Sequence, residues 1–185
     1  MNMGKHAKEQ DSSLPRSILN IVLMVIAVVV LSTLLRTFVF EPYEIPSGSM
    51  RTTIVEGDMV FSQKLSYYMG EPQAGDIVTF EDPSNENRVL IKRCIAVAGQ
   101  EIDIRNGELY IDGVVQEEPY TNNLQTIPLA SDITYPYVVP EGCIWVMGDN
   151  RTHSQDSRYF GAIPVSSVSG KAFMIYWPLN RISLL

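Results

Sequence analysis

Two serines and one lysine are the residues of this chain whose type and setting could do covalent chemistry. Ser47 and Ser49 stand in Ile45-Pro46-Ser47-Gly48-Ser49-Met50 with a glycine between them. On an extended backbone that spacing puts both hydroxyls on one side of the chain, and Gly48 lets another molecule approach the backbone closely. A serine so placed is a nucleophile only where a base takes its proton; without one, serine beside Pro and Gly is an ordinary turn residue. Lys92 is a candidate base. Alternation along 89–97 puts Leu90, Lys92, Cys94 and Ala96 on one face. Such company disfavours the ammonium form, and a neutral lysine is an effective general base. A snorkelling lysine, or one paired with a carboxylate, fits the same pattern. Arg93 faces the other way, where an acidic partner is expected. His153, in the polar turn 148–158, is the rival base, although a histidine in such a turn also reads as a solvated loop residue.

Something must carry these groups. Residues 1–17 are polar, with Lys5, Lys8 and Arg16 outweighing Glu9 and Asp11. Ile18–Leu35 then runs 18 residues without a charge, as a helix about 27 Å long against a hydrocarbon core of about 30 Å. The run is longer than a cleavable signal's apolar region, no small-x-small site follows it, and it shows no polar stripe of a soluble helix. It reads as an uncleaved transmembrane helix over 18–40, with Arg36 snorkelling at its far end. The positive flank places 1–17 in the cytoplasm and 41–185 outside, in the cell membrane's extracytoplasmic space. His6 then lies on the opposite side of the membrane from Ser49.

From residue 57 onward the pattern is β structure with little helix. Short strands are expected at 57–61, 75–80, 89–97, 143–147 and 171–177, with a turn at 82–87. Ile102–Arg105 and Glu108–Ile111 form a hairpin on Asn106-Gly107, a type I′ signal that sets Arg105 opposite Glu108. Residues 116–137, with Pro119, Pro128 and Pro136, read as a loop or edge excursion. The fold class is mainly β: one N-terminal transmembrane helix, then a single all-β domain of packed antiparallel sheets.

Charge and cysteine narrow the function. The chain carries a net −7, and residues 41–185 hold 10 Lys/Arg against 19 Asp/Glu, so nucleic acid is not an expected partner. Cys94 and Cys143 lie in apolar strand-like stretches and read as buried free thiols, with a bridge between them left open. No His, Cys, Asp or Glu cluster has metal-ligand spacing and no phosphate loop is present, so no metal and no other cofactor is expected.

Four stretches together resemble the type I signal peptidases, the membrane-bound Ser/Lys proteases of bacteria, in their small Gram-positive-like form. They are Glu41–Met50, Gly75–Phe80, Ile91-Lys92-Arg93, and Gly148-Asp149-Asn150-Arg151 followed by Ser154, Asp156-Ser157-Arg158 and Tyr159. They stand in the family's order from the apolar run to about residue 164. The resemblance implies Ser49 as nucleophile and Lys92 as general base, with the Ser47 hydroxyl and the Ser49 backbone N–H as oxyanion hole. It implies Ser154 as the group orienting the Lys92 amine, and Asp156 with Arg158 as a supporting ion pair. It implies secretory preproteins as substrates, cut at the outer face of the lipid bilayer after small residues one and three positions before the bond. Thr52 stands where the family usually has proline, and Gln100 follows Gly99 where it commonly has aspartate; both lie outside the implied catalytic set. A self-cleaving Ser/Lys repressor-type protease would share the dyad but needs a DNA-binding segment and a cytosolic setting. A tethered β binding module would leave Lys92 charged, and an inactive paralogue would keep the same pattern.

Overall fold

The computed structural model describes residues 13–67 and 70–185, and the chain divides into two compact units, Met1–Phe38 and Val39–Leu185. Residues 1–12 of the expected N-terminal segment lie outside the described residues. In the first unit, helix α1 covers Ser13–Phe38. Within it Arg16–Leu34 is long and apolar enough to cross a membrane. The polar Thr33 is accommodated by donating its hydroxyl to the Val29 carbonyl at 2.8 Å, the bond a lone threonine makes inside a helix. Phe40, expected to end the span, instead begins a strand.

The second unit is built of β1 (Phe40–Glu44), β2 (Met59–Gln63), β3 (Ile77–Asp82), β4 (Asn85–Val97), β5 (Glu101–Arg105), β6 (Glu108–Ile111), β7 (Val114–Val115), β8 (Tyr137–Val138), β9 (Cys143–Met147), β10 (Ile163–Pro164), β11 (Val168–Trp177) and β12 (Ser183–Leu184). The short helix α2 covers Ser157–Phe160. The larger sheet runs β1-β2-β11-β3-β4-β9-β10 with β12 on β11; the smaller runs β7-β6-β5-β8. Every pairing is antiparallel.

Sequence and structure differ mainly at the strand ends. The Gly57-Asp58 and Gly75-Asp76 pairs expected to open strands are turn residues, with Gly57 at φ +85° and Gly75 at φ +97°, so β2 and β3 start two residues later. The expected turn 82–87 shrinks to Pro83-Ser84, because Asp82 pairs with Asn85. The Asp82 carboxylate closes it by accepting from the Ser84 N–H at 2.9 Å and the Ser84 hydroxyl at 2.6 Å. The Asn106-Gly107 turn has φ of +55° and +86°, and Arg105 does face Glu108.

Three apolar clusters hold the unit together. Ile45, Met50, Ile54, Val60, Ile77 and Ile91 form one. Val78, Phe80, Leu90, Cys94, Ile144 and Val146 form a second. A third lies around Ile102, Ile104, Leu109, Trp145 and Met147. A bulge between Cys94 and Ala96 breaks the alternation of β4, so Ala96 joins the third cluster rather than the second with Leu90 and Cys94. Both cysteines are free thiols, Cys94 buried and Cys143 half-buried. Burial pushes the Cys94 thiol up to about 12.

Candidate active site

Ser49 is delivered by a single 3-10 turn, Gly48–Met50, rather than by extended backbone; only Ser47 before it is extended, at φ −137° and ψ 153°. The apolar anchor explains the turn. Met50 and Ile54 are fully buried in the first cluster, and the Thr53 and Ile54 N–H groups donate back to the Met50 carbonyl at 2.9 and 2.8 Å. Ser49 is thereby held at the surface of the cluster, buried but bordering an open groove of about 330 Å³ that Ser47 also lines.

Lys92 comes from the middle of β4. Its side chain is 3% exposed, and Nζ lies 2.5 Å from Ser49 Oγ. Burial brings the amine down to about 8 from an ordinary value of 10.5, against the pull of Asp156, with Arg88 pushing the same way as burial and Asp149 and Asp82 opposing it. His153 lines the same groove but is exposed, and its Nδ1 lies 3.0 Å from the Thr152 hydroxyl. The arrangement couples Ser49 to the lysine.

The segment after β9 wraps the Gly48–Met50 turn. Asn150 donates from Nδ2 to the Gly48 carbonyl at 2.8 Å and from its backbone to the Ser49 carbonyl at 3.0 Å. The Asp149 carboxylate accepts from Arg93 at 2.9 and 2.7 Å and from the Thr53 hydroxyl at 2.5 Å. Gly148 is required for space. A Cβ there would stand 2.3 Å from Ser154 Oγ and 2.5 Å from the Ser49 carbonyl oxygen. Asp156 and Arg158 form a fully buried pair, bonded at 2.9 Å through both carboxylate oxygens. The second of those oxygens also accepts from the Gly148 N–H at 3.0 Å. Ser154 Oγ is buried with no hydrogen-bond partner. The structure thus sets Ser154 against Gly148 and records no bond between it and Lys92.

Arg151 is completely buried. It donates from Nε to the Gly148 carbonyl at 2.9 Å and from both terminal nitrogens to Glu118 at 2.7 and 2.5 Å. Glu118 belongs to the 116–137 excursion, as does Tyr120, whose ring carries the Arg93 guanidinium 4.1 Å from its centroid. Neither was singled out by the sequence, and the only local signal, an acid before Pro119, is common in loops. Thr52 is exposed in the turn after Ser49. Gln100 accepts the Val97 N–H at 3.0 Å and closes the turn after β4. Among the described residues no group of three or more His, Cys, Asp or Glu could hold a metal ion.

The profile of the signal peptidase family, peptidase S26, matches residues 18–177, which contain all of this site. The chain belongs to the signal peptidase family. Among its relatives are the probable signal peptidase I-1 of Synechocystis, 39% identical over 88% of this chain and 83% of that protein, and the signal peptidase I of Bacillus licheniformis, 35% identical over 95% of this chain and 97% of that one. The thylakoidal processing peptidase 1 of Arabidopsis is 35% identical over 84% of this chain, which spans about half, 47%, of that longer protein. Membership makes the chain a signal peptidase I-type serine endopeptidase.

Proposed function

We propose that Ser49 is the nucleophile and Lys92 the general base of a signal peptidase that cuts secretory preproteins at the outer membrane face. The observation that carries this is the 2.5 Å separation of Lys92 Nζ and Ser49 Oγ around a buried lysine. An amine near 8 is neutral in a useful fraction of molecules at mildly alkaline pH and still basic enough to take a hydroxyl proton. As Ser49 Oγ bonds to the scissile carbonyl carbon, its proton passes to Lys92. The carbonyl oxygen becomes an oxyanion, received by the Ser47 hydroxyl and the Ser49 N–H. Lys92 then hands the proton to the leaving amine as the C–N bond breaks. In the second half Lys92 takes a proton from water, which attacks the acyl-Ser49 ester, and returns it to Ser49.

Asp156 with Arg158 fixes the Gly148 N–H, and Ser154 packs on the same glycine. Small residues one and three positions before the bond are the expected substrate signature, and an extended peptide can add to a strand edge. The apolar stretch Arg16–Leu34 of α1 is read as the span, with the basic N-terminal flank keeping the N-terminus cytoplasmic and placing the β unit outside. The bilayer then concentrates enzyme and signal helix together.

The test is cleavage of a preprotein in detergent by wild type, Ser49→Ala, Lys92→Ala and His153→Ala. Loss in the first two variants and survival in the third is the expected result. Survival of Lys92→Ala at the wild-type rate would overturn the mechanism.

A further inference from the structure

We propose that Arg88 is a specificity-determining residue: its guanidinium pairs with an acidic side chain on the leaving-group side of the scissile bond. The inference rests on the Ser49–Lys92 reading above. In that reading Lys92 must give its proton to the leaving amine, so the peptide after the cut starts beside the Lys92 amine and runs on along the same groove. Ser49, Lys92, Arg88, Asn150 and Gln155 line that groove.

Arg88 stands four residues before Lys92 on β4 and is 57% exposed. Among the described residues its ion-pair partner is Asp82, at 3.5 Å from Nε. Asp82 is itself buried and already engaged, since its Oδ1 accepts both the N–H and the hydroxyl of Ser84. The pair is loose, and a guanidinium so held can turn a planar fork of the kind that receives a carboxylate toward the groove. The other guanidinium of the groove is differently placed. Arg51 is tied to Glu56 through Nε at 3.2 Å and through Nη2, so that pair is neutral toward a substrate. Among the described residues, Arg88 is thus the guanidinium of the groove with the looser partner. At about 3.3–3.6 Å per extended residue, a side chain within the first three positions after the cut comes within reach of it. Aspartate or glutamate there gains a charge-assisted bond, and lysine there is repelled.

The experiment uses the full chain in detergent with synthetic peptides. Each peptide has alanine one and three positions before the bond and a single Asp, Asn or Lys at one of the first three positions after it. At low salt the wild type is expected to prefer Asp over Lys at one of these positions by about fivefold in kcat/KM, the scale of a partly exposed ion pair. That preference should shrink at about 0.5 M salt. Arg88→Gln should bring the ratio near one, and Arg88→Glu should invert it, a gain that misfolding does not produce. Equal cleavage of Asp and Lys peptides by wild type, or a ratio unchanged in Arg88→Glu, would overturn the assignment while leaving the dyad standing. A folded wild type that cleaves none of the peptides would overturn the dyad reading and this inference with it.

Discussion

Replacing Lys92 by methionine should make the protein more stable and inactive. In the folded chain the amine sits at about 8, and its ordinary value is 10.5. Each unit of difference is about 1.4 kcal/mol, so burying Lys92 costs about 3 kcal/mol wherever the folded and unfolded chains both hold the proton. The sign follows from proton counting. Between about 8 and 10.5 the unfolded chain binds more protons at this position than the folded one, so stability rises with pH across that window. Below about 8 the penalty is present in full. Methionine keeps much of the side-chain volume and removes the ionisable group. It also forfeits the contact with Ser49 Oγ, a loss of about 1 kcal/mol. The net gain at pH 7 is therefore about 2 kcal/mol, which in a domain of this size raises Tm by about 4–8 °C. The measurement is thermal unfolding of wild type and Lys92→Met in the same detergent, followed by tryptophan fluorescence from about pH 6.5 to 10. The difference between the two, rather than either curve alone, isolates Lys92 from the other groups that titrate. It should be largest at neutral pH and vanish toward pH 10. A variant less stable than wild type at pH 7, with a difference independent of pH, would refute the account of a lysine held in costly desolvation.

The same amine governs rate. Peptide cleavage by the wild type should rise tenfold per pH unit up to about 8 and level off above it, and a rise centred near 6.5, the ordinary histidine range, would assign the base to His153 instead. Glu118→Gln leaves the fully buried Arg151 without its bidentate carboxylate. It should cost about 3–5 kcal/mol by denaturant unfolding, and a loss under 1 kcal/mol would show that Glu118 is not what holds Arg151. Gly148→Ala puts a methyl group against the Ser49 carbonyl oxygen and Ser154. A displacement near 1 Å at Ser49 should lower kcat about 100-fold, and full activity would mean the backbone yields without moving Ser49.

Much of this protein was legible residue by residue because its elements declare themselves locally. The Asn106-Gly107 turn fixes its own hairpin and register through two positive φ angles, and the charge-free run from Ile18 forms helix without help from the rest of the chain. Strand ends were less legible, because they are set by side chains that cap turns. Asp82 binding Ser84 extends β4 back to Asn85, and no periodicity in 82–88 announces that. The site shows the same division. Ser49 and Lys92 stand out by their company, and the polar block at 148–158 by its density of charge. What the block does was hidden, since Asn150 bonding to Gly48 and Ser49 and Glu118 bonding to Arg151 join residues 102 and 33 positions apart. Such pairings follow from the crossing of strands in a sheet, and a linear pattern does not contain them. The turn at Gly48–Met50 replaced the expected extended backbone for a related reason: burying Met50 and Ile54 side by side in one cluster needs the chain to curl.

The bonds from Asn150 to the carbonyls of Gly48 and Ser49 also set an order of events in the life of the chain. Ser49 is synthesised early, while Asn150, which seats it, arrives about a hundred residues later. A growing chain that has not yet reached Gly148 carries Ser49 and Lys92 without the frame that aligns them. The alignment of Ser49 with Lys92 is therefore a property of the finished unit and of no early part of the chain.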